Sequence, residues 1–278
     1  MDDELILAWL PKAVVYLMSQ LAIGLLVVRR LMPHQDAPTP ARQRRAAILL
    51  SAILLVGLAG RLWVQSATAF GVSEATLPEN LQLIAIESRW GGSWRLQVYA
   101  AAAMLMAALL LRASGAFWAV FALSSIALCL VLPLLGHAGG SAWRHLLHAL
   151  HNLGAAMWLG TLGVMVVGAW RPTRPWAWTE AVRRFSPLAL TCSTLVFLSG
   201  LIAAWIYLGS ITALTTSAYG SALLWKLGAV AVVALCGWIN WLGVRRGATA
   251  NRLVMTIEWL AAVLVMALTA QLTETEHP

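Results

Sequence analysis

The sequence predicts an all-α polytopic membrane protein, a bundle of eight transmembrane helices with both chain termini on the outer, periplasmic side. Three observations carry this. Of the 278 residues, 60% are hydrophobic and only 11% are charged, with a mean hydropathy of +0.78, a composition foreign to soluble globular domains. The charges fall in short clusters between apolar runs. Eight of those runs are long enough to cross a hydrocarbon core, which takes about 20 residues of helix.

Taken in order, the runs cover about 9–31, 46–67, 96–112, 116–136, 145–169, 184–208, 220–243 and 252–271. The start MDDELILAW is acidic, unlike a cleavable signal peptide, so the first run is read as an uncleaved anchor with its N-terminus outside. Pro38 and Pro40 break the connection to the second run. The third run is the shortest. The segment between the second and third runs, about 68–95, is the one long outward loop. Its middle, LPENLQLIAIESRW, has the alternation of a short helix lying at the interface. Gly154, Gly160, Gly163 and Gly168 let the fifth run pack closely on its neighbours. No internal repeat or low-complexity stretch divides the chain, which reads as one transmembrane domain.

Arginine and lysine set the orientation, because cytoplasmic connections carry the excess. The first, third, fifth and seventh connections hold Arg29, Arg30, Arg42, Arg44, Arg45, Arg112, Arg171, Arg174, Arg183, Arg184, Arg245, Arg246 and Arg252. The opposite side holds Lys12, Arg89, Arg95 and Arg144, among most of the acidic residues. The net charge of +8 is therefore a membrane address and not a nucleic-acid footprint. The three cysteines, Cys129, Cys192 and Cys236, all lie inside apolar runs and read as small buried hydrophobes. No nucleotide-binding glycine motif, paired carboxylate or nucleophile with an adjacent base is present. The chain does not read as an enzyme.

Chemistry concentrates in PLLGHAGGSAWRHLLHALHNLGAAMWLGTLGVM, from Pro133 to Met165. His137 ends the fourth run in a glycine-rich turn. His145, His148 and His151 open the fifth at spacings of three and share one helix side. The stripe continues through Ala155, Trp158, Leu162 and Met165. One histidine at a membrane surface is ordinarily a wet-tipped anchor. Four within fifteen residues, two of them directed into an apolar bundle where polar groups are costly, point to a site. Imidazole suits copper, zinc and nickel, and a ligating ring needs its second nitrogen held, for which Asn152 is at hand. Thioethers favour Cu(I), and Met157 and Met165 lie deeper on the same helix.

Three ionisable residues fall inside runs: Arg61, Lys226 and Glu258. Arg61 and Lys226 sit near the depth of His148 and His151. There they oppose a bare cation, but they also hold imidazoles neutral or neutralise an anionic ligand. Glu258 lies six residues from the inner end of its run, too low to meet Lys226.

These residues resemble a known family. The pieces are GHA at 136–138, His151 followed after six residues by Trp158-Leu159-Gly160, and RFSPLAL at 184–190. To these are added SGLIAAWIYLGS at 199–210 and YGSALLWKLGAVAVVALCGWIN at 219–240. In order and spacing they are similar to the copper resistance protein D family, eight-span proteins of the bacterial inner membrane. In the first half only the layout and the pattern ending Trp94-Arg95 match. Asn240-Trp241 stands where the family has Asn-Arg, with Arg245 and Arg246 following later. The resemblance implies copper handling, often alongside copper resistance protein C, a small periplasmic copper carrier, with import or cuproenzyme assembly as the usual role. It carries over His137, His151, Trp158 and Lys226, whereas His145 and His148 rest on spacing alone.

The resulting expectation is a copper-binding membrane protein that takes Cu(I) or Cu(II) at its periplasmic face and passes it inward. His137, His148 and His151 are the outer ligands, His145 assists, Met157 and Met165 are lower ligands, and Asn152, Trp158, Arg61 and Lys226 support them. The alternative is a haem-b electron-transfer protein, with histidines of adjacent helices as axial ligands and Arg61 and Lys226 on the propionates. A scaffold with incidental histidines is the third reading.

Overall fold

Helix capping and apolar length together account for the observed elements. The computed structural model describes residues 8–32, 39–111, 114–135, 141–169 and 175–273. Its long helices are α1 (Leu10–Leu31), α2 (Pro40–Phe70), α3 (Arg89–Leu110), α4 (Gly115–Leu135), α5 (Ala142–Gly168), α6 (Pro175–Leu208), α7 (Ala218–Arg245) and α8 (Arg252–Leu272). All eight are long and apolar enough to cross a membrane, and no strand occurs among the described residues.

Most helix starts are fixed by a polar side chain that accepts from an otherwise orphaned backbone N–H. Thr39 does so for α2, where Pro40 takes the first helical position, and Ser217 does so for α7. Asn251 caps α8 by accepting from Leu253 and Val254 at 3.0 and 3.2 Å. Ser88 accepts from Gly91 at 2.8 Å, which starts α3 at Arg89, ahead of its apolar run at 96. The two polar turns RWGGSWR are helical because of this cap, and hydropathy alone does not see them. Between α2 and α3, a single turn covers Val72–Glu74 and a short helix covers 78–87, α-helical over Pro78–Gln82 and π-helical over Leu83–Glu87, within the LPENLQLIAIESRW stretch. Arg95 donates to the carbonyls of Ala85 and Ile86 and so ties the last turn to α3.

The central helix is α1, which packs against α2, α4, α5 and α8. It joins two apolar cores. One is built with α2, α3 and α4 around Leu54, Leu58, Met104, Phe117 and Phe121. The other is built with α5 to α8 around Leu162, Met165, Val233, Ala262 and Met266. The α1–α5 crossing is a backbone contact: a Cβ on Gly24 would collide with the Gly160 carbonyl, and one on Gly160 with the Gln20 carbonyl. Small residues at such crossings take the place of the hydrophobic drive that lipid removes. Large apolar side chains point outward, Leu123 at 70% and Trp225 at 74% exposure, the inverse of a soluble protein and the expected face towards acyl chains.

Candidate metal-binding site

The three described histidines stand on the first three turns of α5, and the helix they face is α6. His148 Nε2 and the Tyr207 hydroxyl are 3.0 Å apart, with the rings 5.7 Å between centroids. His151 Nδ1 and the Ser199 hydroxyl are also 3.0 Å apart. The helices run antiparallel, so Tyr207 meets the earlier histidine and Ser199 the later one.

The bond to Ser199 decides the tautomer of His151. A serine hydroxyl has one proton, and Ser199 donates it back to the Leu195 carbonyl at 2.6 Å within its own helix. Its oxygen is then left to accept, and the hydrogen-bond network assigns the hydrogen of the contact to His151 Nδ1. The Val196 carbonyl also faces this ring and can only accept. Nε2 is therefore the lone-pair nitrogen, the form in which an imidazole binds a metal while its second nitrogen is held by a partner. Close packing fixes the ring as well, because a Cβ at Gly200 would stand 3.2 Å from His151 Cε1.

Other sequence-level candidates fall elsewhere. His137 lies outside the described residues. His145 Nδ1 is buried with no hydrogen-bond partner among the described residues. Asn152 does not hold an imidazole through its amide nitrogen, which donates to the Cys129 carbonyl on α4 at 3.0 Å. Arg61 stands on the other wall of the bundle, donating to Gln97 of α3 at 3.3 Å and lying over the Trp90 ring at 6.0 Å.

The stripe from His151 to Met165 is not continuous. Ala156–Gly160 form a π-helical turn, an insertion that rotates the rest of the helix by about a quarter turn. Trp158 and Met165, 9% and 0% exposed, enter the second core, and Met157 borders it along with the small cluster around Cys129. No three His, Cys, Asp or Glu side chains gather to hold a metal among the described residues. What stands assembled is a pair of oriented imidazoles. Ser199, Gly200 and Tyr207 lie in the SGLIAAWIYLGS segment that carries the family resemblance, but as hydroxyl, small and aromatic residues common in membrane helices they were not marked there as site residues. The antiparallel register with His148 and His151 is what pairs them with the imidazoles.

Residues 1–146 match the family model "Copper resistance protein D-like, N-terminal domain", and residues 179–272 match "Copper resistance protein D". The first alone spans more than half of the chain. This chain belongs to the copper resistance protein D family. It is similar to the "Copper transport protein CutJ" of Bacillus subtilis (strain 168), with 28% identity over 286 residues, covering 96% of this chain and 52% of that protein. The chain thus spans about half the length of that curated relative. No solved structure matches it. The two family segments meet the α5–α6 region from either side, and α6 supplies both histidine partners.

Proposed function

We propose that this protein takes copper at the periplasmic face of the inner membrane and moves it into or across the bilayer. Copper here is cargo. His151 receives it through Nε2, with His148 and His137 as further ligands and His145 assisting near the start of the helix. Met157 and Met165 are thioether stations on the inward course, and copper resistance protein C or a comparable periplasmic carrier is the donor. Both termini lie outside, and the arginine-rich connections face the cytoplasm. The observation that carries the reading is the ring of His151, held with Nδ1 3.0 Å from the Ser199 hydroxyl, which leaves Nε2 as the nitrogen to offer a metal in an apolar bundle where an idle imidazole is costly. The family's name and that of CutJ speak of copper, and neither speaks of catalysis.

In this reading His148 has a second state. Its Nε2 is engaged by Tyr207, so ligation through that nitrogen requires the tyrosine to let go, a net cost of about 1 kcal/mol. Haem b fits the described residues less well. Ser199 and Gly200 pack directly on His151, so a macrocycle at this ring would have to push α6 away. Metal analysis and visible absorption of the purified protein test the proposal together. One copper per chain bound without a Soret band is the expected result, and a haem spectrum with no bound copper would overturn it.

A further inference from the structure

At the end of the bundle that carries Arg245, Arg246 and Arg252, α8 buries a carboxyl group. Glu258 is 5% exposed and lies six residues, about 9 Å, inside the start of α8. Its place is built. Gly237 on α7 faces both carboxyl oxygens, and a Cβ there would come within 3.1 Å of Oε1, so the carboxyl packs closely against the glycine. Asn240, 7% exposed and one turn further along α7, accepts from the Asn251 backbone N–H at 3.1 Å. Its amide Nδ2 is buried with no hydrogen-bond partner among the described residues, one turn from the Gly237 niche that holds the Glu258 carboxyl. Asn251 is exposed at the turn. Polar groups therefore lead from the surface, through Asn240, to a carboxyl otherwise enclosed by apolar helices.

No cation balances this carboxyl among the described residues. The helices packed on α8 are α1, α7 and the inner half of α5. On α1, Arg29 lies over Trp118 at 4.6 Å, Arg30 is exposed, and Lys12 stands at the opposite end. On α7, Arg245 lies over Trp241 at 4.7 Å, Lys226 acts on His151, and Cys236 is the titratable neighbour whose thiol Glu258 influences. The inner half of α5, Thr161–Ala169, has no charged residue. A lone carboxylate in such a place is expensive, and intramembrane carboxyls that persist without a cation mark proton or ion pathways.

We propose that Glu258 is a proton-exchanging carboxyl open to the arginine-rich face, and that it discharges its proton as cargo moves inward. The proton passes between water at the Asn251 turn and one carboxyl oxygen, and Asn240 Nδ2 supports the carboxylate once the proton has left. The link to cargo rests on the copper reading above, whereas the proton exchange itself does not.

Infrared difference spectroscopy of the full-length protein in lipid nanodiscs, stepped from acidic to alkaline buffer, tests the exchange. The carbonyl band of a protonated carboxylic acid should disappear with the step, be absent in Glu258→Gln and reappear displaced in Glu258→Asp. An undiminished band in Glu258→Gln would overturn the proposal. Proteoliposomes holding a pH dye then test the link. Copper added to the parent should release protons, and Glu258→Gln should lose that release while binding copper as tightly as the parent. Full proton release from Glu258→Gln would contradict the link. A parent protein that binds no copper removes the copper reading, and the infrared result still decides whether Glu258 exchanges a proton.

Discussion

Ser199 gives His151 its chemistry. The imidazole alone is ambiguous, since either nitrogen can carry the hydrogen. One back-bonded serine removes the ambiguity, and this sets the most specific expectation at this scale. Ser199→Ala removes the hydroxyl that stands 3.0 Å from Nδ1, and it should weaken copper binding about 10–100-fold, the usual cost of losing such a partner. Folding should change little, because one net hydrogen bond is worth about 1 kcal/mol. A competition titration on the purified variant checks this, and unchanged affinity would demote Ser199 to packing. The histidines themselves were readable in the sequence from their spacing of three. Their partners were not, because Ser199 and Tyr207 lie about fifty residues away on α6, and only tertiary pairing selects them.

At the scale of elements, α5 is two half-helices joined by the π turn Ala156–Gly160. The N-terminal half addresses α6 with imidazoles, while the C-terminal half addresses α1 and α8 with Leu162, Met165 and Gly163. A period of 3.6 residues projects these onto one face, so the sequence reading ran the stripe straight through. The extra residue of a π turn leaves no mark in composition. Its Gly160 is the point at which α1 and α5 touch backbone to backbone, so Gly160→Leu has no room and should cost well over the 1–3 kcal/mol of ordinary overpacking. Thermal unfolding in detergent measures it. A variant that unfolds like the parent would mean that the crossing is looser than the Gly24–Gly160 contact implies. The α3 helix begins ahead of its apolar run for a related reason. Ser88 caps a helix whose first turns are polar, and a hydropathy reading begins only where the polarity ends.

For the molecule as a whole, length and apolarity made the eight helices legible, because a membrane span has few alternatives. The central place of α1 was not legible. Nothing in its apolar run distinguishes it from its neighbours, and only the paired glycines and its share in both cores reveal it. Orientation remains a matter of charge. The arginines at the ends of α1 and α7 and at the starts of α2 and α8 favour one side, and reporter fusions within 35–40 and after Pro278 should read cytoplasmic and periplasmic respectively. A cytoplasmic signal after Pro278 would put the imidazoles on the wrong side for a periplasmic donor.

The central claim is that His151 and His137 act as one copper site, although His137 is known only from the sequence. Copper binding by His137→Ala, His151→Ala and the double variant, measured on the purified full-length protein, tests it most directly. Residues that share a metal are not additive. Each single variant should lose most of the binding, and the double should be little worse than either. Independent losses that add, or a His151→Ala variant that binds copper like the parent, would contradict the account.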